Sequence, residues 1–293
     1  MVIQLGSTGY EVYVLQHNLN LLGYPVPVTG NFDENTEALV KQFQTANGIG
    51  SDGVVGEQET WPIMDNAIPH GVDIYHRSDP INYAQWSKRD QFAVVKCSSG
   101  AGGKDAAFTA HVAALRAIDV IVGAYHWVTL DSAAAQVANI LSCGFNFGAP
   151  GTLGLFLDLE DQVAASSATF EADNAWIAAH PAQYVQLVLD ILKGVETATG
   201  VRPGIYTYKN YIVQTLANTA AFGNCPLWIS AYPQVKKPGV PAGFATYQLW
   251  QWNVTASPPA IGGECDLNLF NGTKAQLLAL SNAPIPPPIG QTA

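Results

Sequence analysis

Hydrophobic positions in the first 64 residues recur at helical spacing. Val12, Leu15, Leu19 and Leu22 fall three and four residues apart, on one face of a helix that stops at Gly23. A second helix is predicted after Asp33, whose carboxylate can cap free amides, and it carries Val40 and Phe43 inward. The turn Ser51-Asp52-Gly53 then leads into a short helix holding Trp61. Such a three-helix bundle is near the lower size limit for folding without disulfides or metals, so it is expected to be the less stable module.

Residues 65–72, with Pro69 and Gly71, read as a linker, and beyond them the pattern changes. Short aliphatic, β-branched and aromatic runs at 71–75, 92–97, 119–127, 153–160, 203–207, 226–230, 246–252 and 264–268 predict eight strands. Helical patterns at 105–118, 131–142, 182–199 and 209–217 separate several of them. This alternation predicts an α/β fold, a parallel (β/α) barrel rather than a sandwich. No helix fits between 246 and 268, so the helical layer is expected to be incomplete. The predicted organisation is a bundle at 1–64, a linker at 65–72, a barrel at 73–281 and a proline-rich tail at 282–293.

Composition narrows the function classes. Apolar residues make up 48% and charged residues 12%, against about 25% charged in an average globular chain, which excludes intrinsic disorder. The net charge of −10 excludes a nucleic-acid footprint. No apolar run reaches the roughly 18 residues of a membrane helix, so no membrane insertion is expected, and no signal peptide is visible. Cys97, Cys143, Cys225 and Cys265 show no C-x-x-C spacing and are expected to be free, buried thiols. The segment from Ser98 to Asp105 departs from a phosphate loop at both its first Gly and its Ser/Thr. The six histidines include no H-E-x-x-H helix, so neither a metal nor a cofactor is expected. His126 reads as a hydrogen-bonded barrel histidine.

The sharpest chemical signal is Phe156-Leu157-Asp158-Leu159-Glu160. On a strand, residues two apart project to one face, so Asp158 and Glu160 point together while Leu157 and Leu159 face the helices. Carboxylates are costly to bury inside an apolar strand, and at the C-terminal end of a barrel strand they mark an active site. An ionised Asp158 would raise the pKa of Glu160 and leave it protonated as a general acid. Asp73 and Asp266 occupy similar strand positions. The aromatic residues Tyr125, Tyr206, Trp228, Tyr232 and Trp250 gather near strand ends, and an aromatic-lined acidic cleft suits sugar rings.

In order and spacing, Gly71-Val72-Asp73, Gly123-Ala124-Tyr125-His126-Trp127, Leu157-Asp158-Leu159-Glu160, Gly204-Ile205-Tyr206, Leu227-Trp228-Ile229-Ser230-Ala231-Tyr232, Gln248-Leu249-Trp250-Gln251-Trp252 and Asp266-Leu267-Asn268 resemble the glycoside hydrolase family 25 lysozymes, the Chalaropsis-type muramidases. Residues 5–61 separately resemble the three-helix peptidoglycan-binding domain, through Leu15-Gln16, Leu22-Gly23-Tyr24, Thr29-Gly30-Asn31-Phe32, Phe43-Gln44, Asp52-Gly53-Val54-Val55-Gly56 and Thr60-Trp61. One departure is Ser99-Gly100, where the family often has Glu-Gly.

The resemblance implies a flattened eight-stranded barrel with a partial helical layer, hydrolysing the β-1,4 bond between N-acetylmuramic acid and N-acetylglucosamine. It implies Glu160 as general acid and then base, with Asp158 stabilising charge on the substrate's N-acetyl group; direct displacement is the alternative route. Asp73 and Asp266 would tune the acid, and Tyr125, Tyr206, Trp228, Tyr232, Gln248 and Trp250 would contact sugar. The implied partner is bacterial peptidoglycan, met by a monomer. Absence of a visible export signal suggests a phage endolysin made in the host cytoplasm, with a secreted autolysin as the alternative. A chitinase-like reading fails because the upstream acids of its strand motif would fall at Leu153 and Phe156. A non-catalytic wall-binding protein is the reading from another class.

Overall fold

The computed structural model describes residues 2–149, 151–161, 168–232, 237–255 and 258–281; the expected proline-rich tail lies outside them. The bundle is built from α1 (Tyr10–Leu21), α2 (Glu34–Ala46) and α3 (Thr60–Ala67). Its core joins Val12, Leu15, Leu19, Val40, Phe43, Trp61 and Met64. Asp33 caps α2 by accepting from the Thr36 amide at 2.8 Å. Two buried glutamine amides fasten the loops. Gln16 donates to Asn31 O at 2.8 Å and accepts from the Thr29 and Gly30 amides at 2.8 and 2.9 Å. Gln44 donates to Val54 O and accepts from the Gly53 amide, both at 2.9 Å.

The segment read as a linker is largely ordered structure. Helix α3 runs to Ala67 and β1 (His70–Ile74) begins three residues later. Gly71 signals a close approach rather than flexibility, because a Cβ there would lie 2.4 Å from the Phe92 carbonyl oxygen.

Eight further elements of sheet follow: β2 (Asp90–Ser99), β3 (Gly103–Lys104), β4 (Ile121–Trp127), β5 (Thr152–Asp158), β6 (Gly204–Tyr208), β7 (Leu227–Ser230), β8 (Leu249–Asn253) and β9 (Asp266–Phe270). The order β1-β9-β8-β7-β6-β5-β4-β2 closes through β1–β2 into an eight-stranded barrel, with β3 a short hairpin on β2. All eight strands read from the sequence are present. The barrel is not wholly parallel, since β9 runs antiparallel to both β8 and β1. Among the described residues of the 12 between β8 and β9 there is no crossover helix that would return the chain for a parallel pairing.

Side chains alternate as the pleat requires. Val94, Tyr125, Phe156, Tyr206, Trp228 and Leu249 fill the barrel interior. Val95, Leu157, Ile205 and Ile229 face outward, in one cluster with Val112 of α4 (Phe108–Arg116), Ile140 of α5 (Ala133–Leu141), and Tyr184, Val188 and Ile191 of α7 (Pro181–Thr199). Helices α6 (Ala168–Ala179) and α8 (Lys274–Ser281) have no counterpart among the predicted elements. Among the described residues, no helix is long and apolar enough to cross a membrane.

Helix α1 of the bundle packs against the barrel at β8 and β1, where the helical layer is incomplete. His17 stacks on Trp252 with centroids 3.5 Å apart, and Tyr13 stacks on the same indole at 5.6 Å. His70 Nε2 lies 2.5 Å from Asn18 Oδ1, and Asn253 donates to the Tyr13 hydroxyl at 2.7 Å. Arg89, 3% exposed, sits 2.9 Å from Glu57 and 2.5 Å from Asp65, with its guanidinium 4.6 Å from the centre of the Trp61 ring. Tyr10 donates to Asp90 at 2.8 Å. The bundle and barrel therefore share a packed, hydrogen-bonded seam.

Candidate active site

Strand direction explains how acids far apart in sequence meet. Asp73 lies near the C-terminal end of β1 and Asp158 ends β5, whereas Asp266 begins β9. Because β9 is antiparallel, its start lies at the same mouth, where Asp266 is paired in register with Asp73. Glu160 follows two residues after β5, its chain anchored by the Leu159 amide donating to Tyr206 O at 2.9 Å. Leu157 and Leu159 are fully buried toward the helices, as the alternation predicted.

Gln251 organises the mouth. Its amide nitrogen donates to Asp73 at 2.8 Å and to Asp266 at 3.1 Å, and its carbonyl accepts from Tyr206 at 2.8 Å and from the Tyr232 hydroxyl. Asn268 gives Asp73 a second donor at 2.7 Å and accepts from Trp228 Nε1 at 2.7 Å. Asp158 is 4% exposed, and its Oδ1 has no hydrogen-bond partner among the described residues. A buried carboxyl oxygen without a donor is costly in the resting protein and available to a ligand.

The electrostatics follow from burial. Glu160 is pushed up to about 7 by desolvation and by the nearby Asp266 carboxylate, with Lys96 pulling the other way. Desolvation and then Glu160 push Asp158 well above the usual carboxylate range, again opposed by Lys96. The same burial, with Asp266 beside it, raises Asp73 despite donation from Gln251 and Asn268. Asp266 rises to about 6 through desolvation and the neighbouring Glu264. A carboxyl that stays protonated close to neutrality is what general-acid chemistry requires.

Glu160, Tyr206, Tyr208, Asn210, Tyr232, Gln251 and Asp266 line a cleft of about 590 Å³. All four predicted acids gather at this mouth. Tyr206 and Tyr232 form cleft wall, while Tyr125 and Trp228 lie beneath it in the barrel, edge to face at 6.0 Å. Two predicted sugar contacts are placed elsewhere. Gln248 precedes β8 and lines a separate pocket with Phe244, Tyr247 and Phe270. Trp250 is buried in the outer cluster and donates to Ala231 O at 3.2 Å. The side-chain parity of β8 explains both: Leu249 and Gln251 face the interior, so Trp250 and Trp252 face out.

The residues missed from sequence are Gln251, Asn268 and Lys96. Each lies two positions from a residue that the structure puts in the interior or at the mouth, Leu249, Asp266 and Val94, on β8, β9 and β2. His126 behaves as expected of a barrel histidine: its two nitrogens lie 2.8 Å from Ser98 Oγ and 3.1 Å from Gln136 Oε1, and burial lowers its pKa to about 4. All four cysteines are free; Cys97 and Cys265 are buried, and Cys143 and Cys225 are half-buried.

Comparison with known proteins agrees with this geometry. Residues 72–261 match the family model described as "Glycosyl hydrolases family 25", and residues 8–64 match "Putative peptidoglycan binding domain". Lysozyme M1 of Streptomyces globisporus is 28% identical over 237 residues, covering 78% of this chain and 77% of that protein. The bacterial lysozyme from Streptomyces coelicolor superposes with a TM-score of 0.64 at 27% identity, covering 73% of this chain and 96% of that one. A muramidase from Acremonium alcalophilum superposes with a TM-score of 0.62 at 28% identity, covering 73% and 98%.

Proposed function

The chain belongs to the glycosyl hydrolases of family 25, and from that premise we propose that it is a muramidase in which Glu160 is the proton donor. The observation that carries this reading is Glu160 itself, a carboxyl pushed up to about 7 on the wall of an open cleft that Tyr206, Tyr208, Tyr232, Lys209 and Asp266 also line. Its substrate is peptidoglycan, cut at the β-1,4 bond between N-acetylmuramic acid and N-acetylglucosamine.

Glu160 donates its proton to the glycosidic oxygen as the bond from that oxygen to the anomeric carbon breaks. The carbonyl oxygen of the substrate's own N-acetyl group attacks the anomeric carbon from the other side. The Asp158 carboxylate stabilises the positive charge that spreads onto the N-acetyl nitrogen, using the Oδ1 that has no donor among the described residues. Glu160, now ionised, takes a proton from water as the water oxygen bonds to the anomeric carbon and the bond from that carbon to the N-acetyl oxygen breaks, which leaves a muramic acid reducing end with retained configuration. Asp158 and Glu160 stand on one wall of the site, which favours this substrate-assisted route over attack by Asp158 across the sugar. Asp73 and Asp266, tied together by Gln251, fix the mouth's shape and hold Glu160 protonated. Tyr206 and Tyr232 supply stacking surface.

Residues 1–64 direct the barrel to the wall, and the protein acts as a monomer without nucleic acid. Release from a host cytoplasm as a phage endolysin belongs to this reading; a leader sequence in the gene would instead favour a secreted autolysin.

Reducing-end labelling and mass spectrometry of fragments released from purified peptidoglycan test this reading. Muramic acid reducing ends from the wild type and none from Glu160→Gln are expected. Glucosamine reducing ends, free peptides, or equal release by the variant would overturn it.

A further inference from the structure

The mouth concentrates negative charge, and its counter-charge comes from a strand that carries none of the acids. Lys96 follows Phe92 and Val94 on the interior face of β2, in register with Tyr125 of β4. Two residues further along β4, Trp127 is in register with Asp158 of β5. The Lys96 ammonium sits 4.8 Å from the centre of the Trp127 ring, 5.7 Å from that of Tyr125 and 5.9 Å from that of Tyr75. Three ring faces hold the charge in place without neutralising it.

We propose that Lys96 is a positioning residue for glycoside cleavage: caged by Tyr75, Tyr125 and Trp127 at the barrel mouth, its ammonium is the counter-charge that lets buried Asp158 ionise against the positive charge developing on the substrate. The proposal rests on the reading of Asp158 as the group that stabilises the substrate's N-acetyl charge.

The surroundings of Asp158 make such a counter-charge necessary. Its own element brings Glu160, and β1 brings Asp73. From β4 and β6 come Tyr125 and Tyr206, and from the helical side Tyr184 and Tyr211, all pushed upward by burial and therefore neutral across the working range. Among the described groups that act on Asp158, Lys96 is the positively charged one. On the Lys96 side, His126 is held neutral by burial, so it does not share the role. A carboxylate in this setting without a cation takes up a proton instead of keeping its charge. Lys96 favours the ionised form of both members of the pair, so it sets the pH window of the reaction without touching the sugar.

The test compares the full chain with Lys96→Met, Lys96→Gln and Lys96→Arg through pH profiles of kcat and KM on solubilised glycan strands. Both limbs of kcat/KM are expected to move upward by about one pH unit or more in the Met and Gln variants, equivalent to about a tenfold loss on the acid side. KM should stay nearly constant, and Arg should bring both limbs back. A loss that is equal at all pH values, or limbs that move as far with Arg as with Met, would overturn the proposal and leave Lys96 a packing residue. Carboxyl-carbon NMR titration of aspartate-labelled protein, with Asp158→Asn to assign the resonance, gives a readout that needs no turnover. An Asp158 midpoint that rises without the cation supports the proposal, and an unchanged midpoint contradicts it. If the wild type yields no muramic acid reducing ends, the muramidase reading fails while this titration still decides the role of Lys96.

Discussion

Two clusters of buried charge in this molecule are built in opposite ways. At the seam between bundle and barrel, Arg89 is ringed by Glu57 at 2.9 Å, Asp65 at 2.5 Å and Glu11 at 4.0 Å. At the mouth, Asp73, Asp158, Glu160 and Asp266 converge with Lys96 alone opposing them among the groups that act on Asp158 and Glu160. Pairing at the seam fastens two modules, because removing one partner would strand the others in low dielectric. At the mouth, incomplete pairing holds protons on carboxyls near neutrality. A raised carboxyl is not in itself a mark of catalysis. Burial also lifts Asp65 and Asp90 at the seam to about 7. The mouth differs in opening onto a cleft of about 590 Å³, where a substrate can use the proton.

The largest expected effect is at the mouth. Glu160→Gln should lower kcat on soluble glycan by roughly 10²–10⁴-fold while leaving binding to intact walls unchanged in a sedimentation assay. The seam should respond in the other currency. Arg89→Ala should destabilise the protein by about 3–5 kcal/mol in urea unfolding, because it strands Glu57 and Asp65, with little change in kcat for the protein that remains folded. Deleting residues 1–64 should likewise lower the melting temperature of the barrel, since it uncovers Trp252 and leaves Arg89 and Asp90 without Glu57 and Tyr10. A truncated barrel as stable as the full chain would show the seam to be an incidental contact.

Smaller effects sharpen the site. Gln251→Ala removes the donor shared by Asp73 and Asp266 and should cost about 10–100-fold in kcat/KM, the scale of a hydrogen bond to a charged group. Gln248→Ala, at the other pocket, should leave kcat/KM unchanged. In the wild type, kcat/KM should fall as pH rises through about 7, where Glu160 loses the proton it must donate. A pH–rate profile still rising above that point would contradict the assignment.

The eight strands and the acids were legible because each depends on local pattern: apolar runs between turn residues, and carboxyls two apart on a strand. Tertiary relations were harder to read. The reversed direction of β9 brings Asp266 to the mouth from the start of its strand, and only the missing crossover helix hints at it. Gln248 and Trp250 came with the motif that carries the family resemblance, where the parity of β8 selects Gln251. Helices α6 and α8 escaped because Ala168–Ala179 and Lys274–Ser281 carry no clear apolar stripe. The seam was invisible because its partners, such as His17 with Trp252 and Glu57 with Arg89, are joined only by the fold. Pro69 and Gly71 therefore looked like a flexible linker, although Gly71 is a packing glycine against Phe92.

Calorimetric melting of Glu160→Gln against the wild type at pH 8 and pH 4 tests the division between the two clusters most directly. Glu160 is raised from 4.5 to about 7, so its ionisation opposes folding fully above pH 7, and the penalty fades as pH falls through 7 toward 4.5. The account predicts an inactive variant that melts higher than the wild type at pH 8 and level with it at pH 4. A variant that melts lower at both pH values would make Glu160 a structural partner and contradict the claim that the mouth sacrifices stability for chemistry.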